Sequence, residues 1–122
     1  MLGSANSAIR GAICVFEDRK DLIDEAACKL YKSMLAENNI SEEDITCLLI
    51  TQTSDLRSRN PATGLRKGGY CANIALFCMQ ELEIEGMLSK VIRMLCLTKR
   101  TIERPRNMYL DGAEQLRPDL VL

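Results

Sequence analysis

Strand-forming segments outnumber helix-forming ones in this chain, and that imbalance limits how it can fold. Residues 8–16, 45–51, 71–79 and 91–98 are apolar and β-prone, and Met108-Tyr109-Leu110 is a fifth, short candidate. Only one stretch has sustained helical spacing: Leu22, Ile23, Ala26, Ala27, Leu30, Tyr31, Met34 and Leu35 recur at intervals of three and four. Asp18 or Asp21 is placed to cap that helix, and Asn38-Asn39 to end it. A short second helix is expected from Asn60-Pro61 to about Lys67, stopped by Gly68-Gly69. The first strand, the long helix and the second strand read as a crossover unit with a parallel pair. The expected class is α+β (mixed α/β): a mixed sheet of about five strands with one long and one short helix. Two helices cannot cover both faces of such a sheet, yet the second, third and fourth strands read as buried on both. The economical cover is another copy of the chain, in a symmetric oligomer with sheets packed together.

Composition narrows the chemistry. At 122 residues the chain is expected to form one domain, 1–122, with residues 1–7 flexible. It is 47% hydrophobic and 27% charged, which excludes wholesale disorder. A net charge of −1 offers no global field to draw in nucleic acid or an anionic membrane. Two Phe, three Tyr and no Trp are a poor endowment for stacking bases. There is no histidine, so Ser-His-Asp and Cys-His pairs, imidazole bases and most zinc sites are excluded. The six cysteines lie mostly in apolar runs, none spaced C-x-x-C, and read as small core residues in a reducing compartment. The first residues carry no basic region or long apolar stretch, and no run reaches membrane-spanning length. The expected location is the cytoplasm.

One charge stands in unusual company. Arg93 lies inside Val91-Ile92-Arg93-Met94-Leu95-Cys96-Leu97, where a guanidinium is expected to be desolvated, which is costly unless an anion meets it. Upstream, Cys78-Met79-Gln80-Glu81 ends an apolar strand in a carboxylate. Together they suggest a preformed polar pocket for an anionic ligand; a structural ion pair between them is the plainer alternative.

Four short motifs then line up in order. They are Ile9-Arg10-Gly11-Ala12, Cys78-Met79-Gln80-Glu81-Leu82, Gly86 before Val91-Ile92-Arg93-Met94, and Tyr109-Leu110-Asp111-Gly112-Ala113 leading to Leu116-Arg117-Pro118-Asp119-Leu120. In these the chain resembles the monofunctional, trimeric chorismate mutases of the Bacillus type, over nearly the whole length from Ala8 to Leu120. The resemblance implies a homotrimer with barrel-like packing of sheets and active sites between neighbouring subunits. The implied reaction is the Claisen-type rearrangement of chorismate to prephenate in aromatic amino-acid biosynthesis. It needs no metal, nucleophile or redox cofactor, only a folded substrate and positive charge near the breaking ether bond.

Residue by residue, Arg93 matches the arginine at the ether oxygen and Glu81 the carboxylate that accepts the ring hydroxyl, and these are the implied catalytic pair. Cys78 matches a thiol near that hydroxyl. Arg10 and Tyr109 match residues that hold a substrate carboxylate. Arg66 matches an arginine at the cleft mouth, and Arg117 belongs to a C-terminal segment, 114–122, that can fold over the site. Four arginines suffice for a substrate with two carboxylates.

Without the resemblance each residue has an ordinary explanation: Arg10 as a strand-end charge, Cys78 as a core thiol, Tyr109 as a packed ring, Arg66 beside Lys67 as a solvated helix charge. Strict alternation also puts Cys78 and Glu81 on opposite faces, so a bulge or strand end is needed to bring them together. The chain departs from the family at Asn60, commonly aromatic, at Thr63, commonly lysine, and at Leu76-Phe77, commonly smaller or more polar. These changes predict weaker substrate binding with the chemistry kept. Two other readings compete: a non-catalytic trimer of the same fold that binds or senses a small carboxylate, and an imine deaminase-like trimer, which the Cys78–Glu81 and Arg93 constellation disfavours.

Overall fold

Four of the five strands form where the apolar runs place them, and the third starts later. The computed structural model describes residues 6–116. Along the chain come β1 (Ala8–Cys14), α1 (Lys20–Glu37), β2 (Ile45–Gln52), α2 (Pro61–Lys67), β3 (Ala75–Gln80), β4 (Val91–Thr98) and β5 (Met108–Leu110). Short 3-10 turns follow at Glu42–Asp44 and Ala113–Leu116. β1 stops at Cys14 rather than running on to Phe16, which is exposed. Residues 71–74 form a turn, with Cys71 at φ +60, so β3 begins at Ala75.

The five strands form one mixed sheet in the order β3-β2-β4-β1-β5. β2 and β3 are parallel, as are β1 and β5, while β4 runs antiparallel to both β2 and β1. The expected adjacent pairing of β1 with β2 is therefore corrected. They run in the same direction, but β4 inserts between them and supplies both with antiparallel hydrogen bonds.

Both helices pack on one face. α1 buries Ile23, Ala26, Ala27, Leu30, Tyr31 and Met34 against Ile9, Ile13, Leu48, Ile50, Ile92, Met94 and Cys96. Each large apolar side chain buried there contributes about 1.5–3 kcal/mol. Gly11 permits the close approach, because a Cβ at that position would lie 2.5 Å from Met34 Sδ. Burial pushes the Cys71 thiol up to about 11 and the Cys96 thiol up to about 12, so both act as neutral core groups.

The capping expectation for α1 fails. Its N-cap is Arg19, which makes no side-chain cap, and Asp21 pairs with Arg19 instead. Asp18 turns to the segment before α2, accepting the backbone N–H groups of Arg57 and Ser58 at 2.9 Å each. α2 is capped as expected: Asn60 accepts the Ala62 N–H at 2.8 Å, Pro61 takes the first turn, and Gly68 closes the helix.

The other face carries neither α-helix; among the described residues the 3-10 turn Ala113–Leu116 packs on one end of it, against Ala12, Val91 and Tyr109, and the rest lies open. In the single chain the second face of β3, which the expected oligomer would cover, lies open: Phe77 is 60% exposed and Met79 also faces outward. Leu82 and Ile84, in the connection beyond β3, are exposed as well.

Candidate active site

Strand register builds a single row across the open face. Met79 of β3 pairs with Thr51 of β2, Thr51 with Arg93 of β4, Arg93 with Ala12 of β1, and Ala12 with Tyr109 of β5. One row further along, Phe77 pairs with Leu49, Leu49 with Leu95, and Leu95 with Arg10. Side chains two apart on a strand share a face, so Arg10, Arg93 and Tyr109 project together. They line a cavity of about 500 Å³ with Leu49, Thr51 and Met79.

Glu81 joins them from beyond the end of β3. Its backbone N–H donates to the Gln52 carbonyl at 2.9 Å, continuing the β2 pairing by one residue. Its carboxylate turns onto the open face, where Oε1 lies 3.2 Å from Arg93 Nε and Oε2 accepts the Thr51 hydroxyl at 3.0 Å. Glu81 is the more buried partner, its side chain 17% exposed against 45% for Arg93. Complete desolvation of Arg93, expected from its apolar neighbours, is thus not met in the single chain, because the face it points from lies open. Its guanidinium pairs with no other carboxylate among the described residues, which leaves N–H donors for a ligand.

Asn107 helps set the other end of the row. Its side-chain oxygen accepts the Arg10 backbone N–H at 2.9 Å, fixing the edge of β1 beside the loop that leads to β5.

Cys78 and Arg66 lie elsewhere. Cys78 is on the helix-covered face, half-buried, and its thiol donates to Asn60 Oδ1 at 3.1 Å. Burial raises its pKa, outweighing the Ala62 backbone hydrogen bond and the Arg66 charge that pull it down. Arg66 sits exposed in the last turn of α2. No bulge brings Cys78 to Glu81: β3 stays regular through Gln80, and alternation keeps the two on opposite faces. Within one chain the structure therefore gathers Arg10, Glu81, Arg93 and Tyr109, and holds Cys78 and Arg66 as a second group. Arg117 lies outside the described residues. Thr51 was not singled out from sequence; its signal was alternation from Cys47 and Leu49, which places it on their face.

A second cavity, about 590 Å³, lies between α1 and the end of β1, lined by Phe16, Leu22, Glu25, Lys29 and Asp111. Its single cation, Lys29, is already paired with Asp111 at 2.9 Å. The open-face cavity, by contrast, brings two guanidinium groups, Arg10 and Arg93, together with a tyrosine, and Glu81 borders it through its pairing with Arg93. Among the described residues no group of three or more acidic or thiol side chains is placed to hold a metal ion.

Comparison with known proteins points the same way. The family model for chorismate mutase type I matches residues 6–120. A chorismate mutase of Thermus thermophilus is 40% identical over 115 residues, covering 92% of this chain and 93% of that protein. A chorismate mutase of Bacillus subtilis is 32% identical over 116 residues, covering 93% and 91%. The solved structure of a chorismate mutase from Clostridium thermocellum superposes with a TM-score of 0.82 at 35% identity, over 89% of this chain and 98% of that one.

Proposed function

The chain belongs to the chorismate mutase type I family, and from that premise we infer where and how it works. It is an isomerase that rearranges chorismate to prephenate, a step of aromatic biosynthesis. We propose that the reaction takes place over the open sheet face, at Arg93 and Glu81. The observation that carries this reading is the Arg93 guanidinium: it is anchored to Glu81 through Nε, its side chain stays 45% exposed over the open face, and it pairs with no other carboxylate among the described residues.

The chemistry asks little else. One C–O bond breaks, one C–C bond forms, and no proton is transferred. Negative charge grows on the ether oxygen as the bond lengthens, and a fixed guanidinium stabilises that charge without reorganising. Glu81 accepts a hydrogen bond from the ring hydroxyl, which fixes the ring relative to Arg93. Arg10 and Tyr109, across the row, hold a carboxylate and favour the compact, chair-like conformer. Holding that conformer removes much of the entropic barrier.

We propose that Cys78 and Arg66 serve the site of a neighbouring copy, in a homotrimer. Phe77, Leu82 and Ile84, 60%, 80% and 63% exposed, support an apolar contact between copies around the open face. A second copy there would also desolvate Arg93, which strengthens its attraction for a developing anion. Arg117 would close the site from the C-terminal segment. We read the whole chain as one domain, which the single sheet supports, and place it in the cytoplasm. Six unpaired thiols support that location, and no described helix is long and apolar enough to cross a membrane.

Thermal unfolding with a bicyclic transition-state analogue tests the site. The analogue should raise the midpoint of the wild type and have much less effect on Arg10→Ala. Equal shifts in both proteins would place the anion site elsewhere.

A further inference from the structure

We propose that Thr51 is a positioning residue for the rearrangement: its hydroxyl fixes the Glu81 carboxylate against β2 and, through it, the Arg93 guanidinium. The inference deepens the site reading given above and rests on it.

Glu81 stands where regular structure ends. β3 stops at Gln80, and residues 81–90 connect to β4 without helix or strand. A glutamate side chain has three rotatable bonds, so a carboxylate at a loop entrance samples several positions unless something holds it. Thr51 has one stiff, β-branched torsion and sits inside the sheet, in register between Met79 and Arg93. Its Oγ1 donates to Glu81 Oε2 at 3.0 Å, while Arg93 Nε lies 3.2 Å from Oε1. The two carboxylate oxygens are thus tied to two adjacent strands, β2 and β4. That fixes the carboxylate plane, and with it the edge of the guanidinium turned toward the cavity. The Thr51 proton is committed to Glu81, so the hydroxyl acts by holding a neighbour.

The test compares kcat and KM on chorismate for wild type, Thr51→Val, Thr51→Ser, Glu81→Ala and the Thr51→Val/Glu81→Ala pair, with unfolding midpoints alongside. Valine keeps the shape and removes the hydroxyl. A lost hydrogen bond to a charged group that works in the transition state should lower kcat about tenfold with KM changed less than about twofold. Serine should restore kcat to within about twofold of wild type. In the Glu81→Ala background, Thr51→Val should cost nothing more, because nothing is left to position.

Wild-type kcat in Thr51→Val would overturn the inference. So would an equal loss with and without Glu81, or a failure of serine to rescue, since each describes a residue that matters only for packing. If Thr51→Val does not fold, Thr51→Ala carries the same comparison. A Glu81→Ala protein with full turnover would remove the site reading itself. An impaired Glu81→Ala with an unimpaired Thr51→Val would remove only the role of Thr51.

Discussion

The thiol of Cys78 lies 3.1 Å from the side-chain oxygen of Asn60, an oxygen that also accepts the Ala62 N–H and caps α2. One side chain therefore ties the start of α2 to the middle of β3, on the face of the sheet away from Arg93 and Glu81. Arg66 stands at the far end of the same short helix, with its side chain exposed. Among the described residues the groups implied by the family form two blocks, Arg10, Glu81, Arg93 and Tyr109 on the open face and Cys78 with Arg66 on the helix side.

If one block serves the neighbour's site, two inactive variants should complement each other. Arg93→Ala and Arg66→Ala subunits, unfolded together and reassembled, would give about a quarter of sites with both blocks intact in randomly mixed trimers. Steady-state turnover of the mixture should rise toward a quarter of the wild-type value. A mixture no more active than the average of its two parents would place both blocks in one subunit's site, or neither.

Gly64→Ala tests the seam that supports the second block. A Cβ there would lie 2.6 Å from Asp24 Oδ1 and 3.0 Å from the Asp24 Cα. Asp24 Oδ1 also pairs with Arg59 Nε at 3.0 Å, and neither atom has a hydrogen-bond partner to replace that contact. Helix propensity favours alanine by about 1 kcal/mol. Overpacking against backbone costs about 1–3 kcal/mol, and disturbing the ion pair adds to it. The net effect should be destabilising by about 1–3 kcal/mol in urea unfolding, and a stabilised Gly64→Ala would show that α1 and α2 have room to part.

Asp18 should make stability depend on pH. The Ser58 backbone N–H is the largest influence holding its carboxyl below the ordinary range; the Ser58 hydroxyl, the Arg57 N–H and the Arg57 charge add to it. The folded value lies below the unfolded one, so the stabilisation is fully present above the unfolded value of about 4 and is lost as pH falls through the folded value. Asp18→Asn should unfold at lower temperature than wild type at pH 7, with the gap closing below about pH 4. A gap that stays constant down to pH 2 would show that the charge plays no part.

Local signals were legible in the sequence; non-local ones were not. Asn60-Pro61 and Gly68-Gly69 marked α2 because capping chemistry is decided within a few residues. Alternation through Phe77 and Met79 put Glu81 on the open face, and it holds there because the β2 pairing continues to its N–H. Asp18, by contrast, bonds a segment about 40 residues away, and no local pattern distinguishes that from a helix cap. The insertion of β4 between β1 and β2 is likewise a choice among distant partners. Arg93 looked wholly buried because its neighbours in sequence are apolar. In the single chain its surroundings depend on a face that the two α-helices leave open and the 3-10 turn Ala113–Leu116 covers only at one end.

Turnover by Arg93→Ala bears most directly on the central reading, that a guanidinium anchored to Glu81 stabilises the breaking ether bond. Loss of such a preorganised donor should lower kcat for chorismate by about 100-fold to 1,000-fold, with the unfolding midpoint little changed. A folded Arg93→Ala protein with kcat within a few-fold of wild type would contradict the account, and would move the chemistry away from the open face of the sheet.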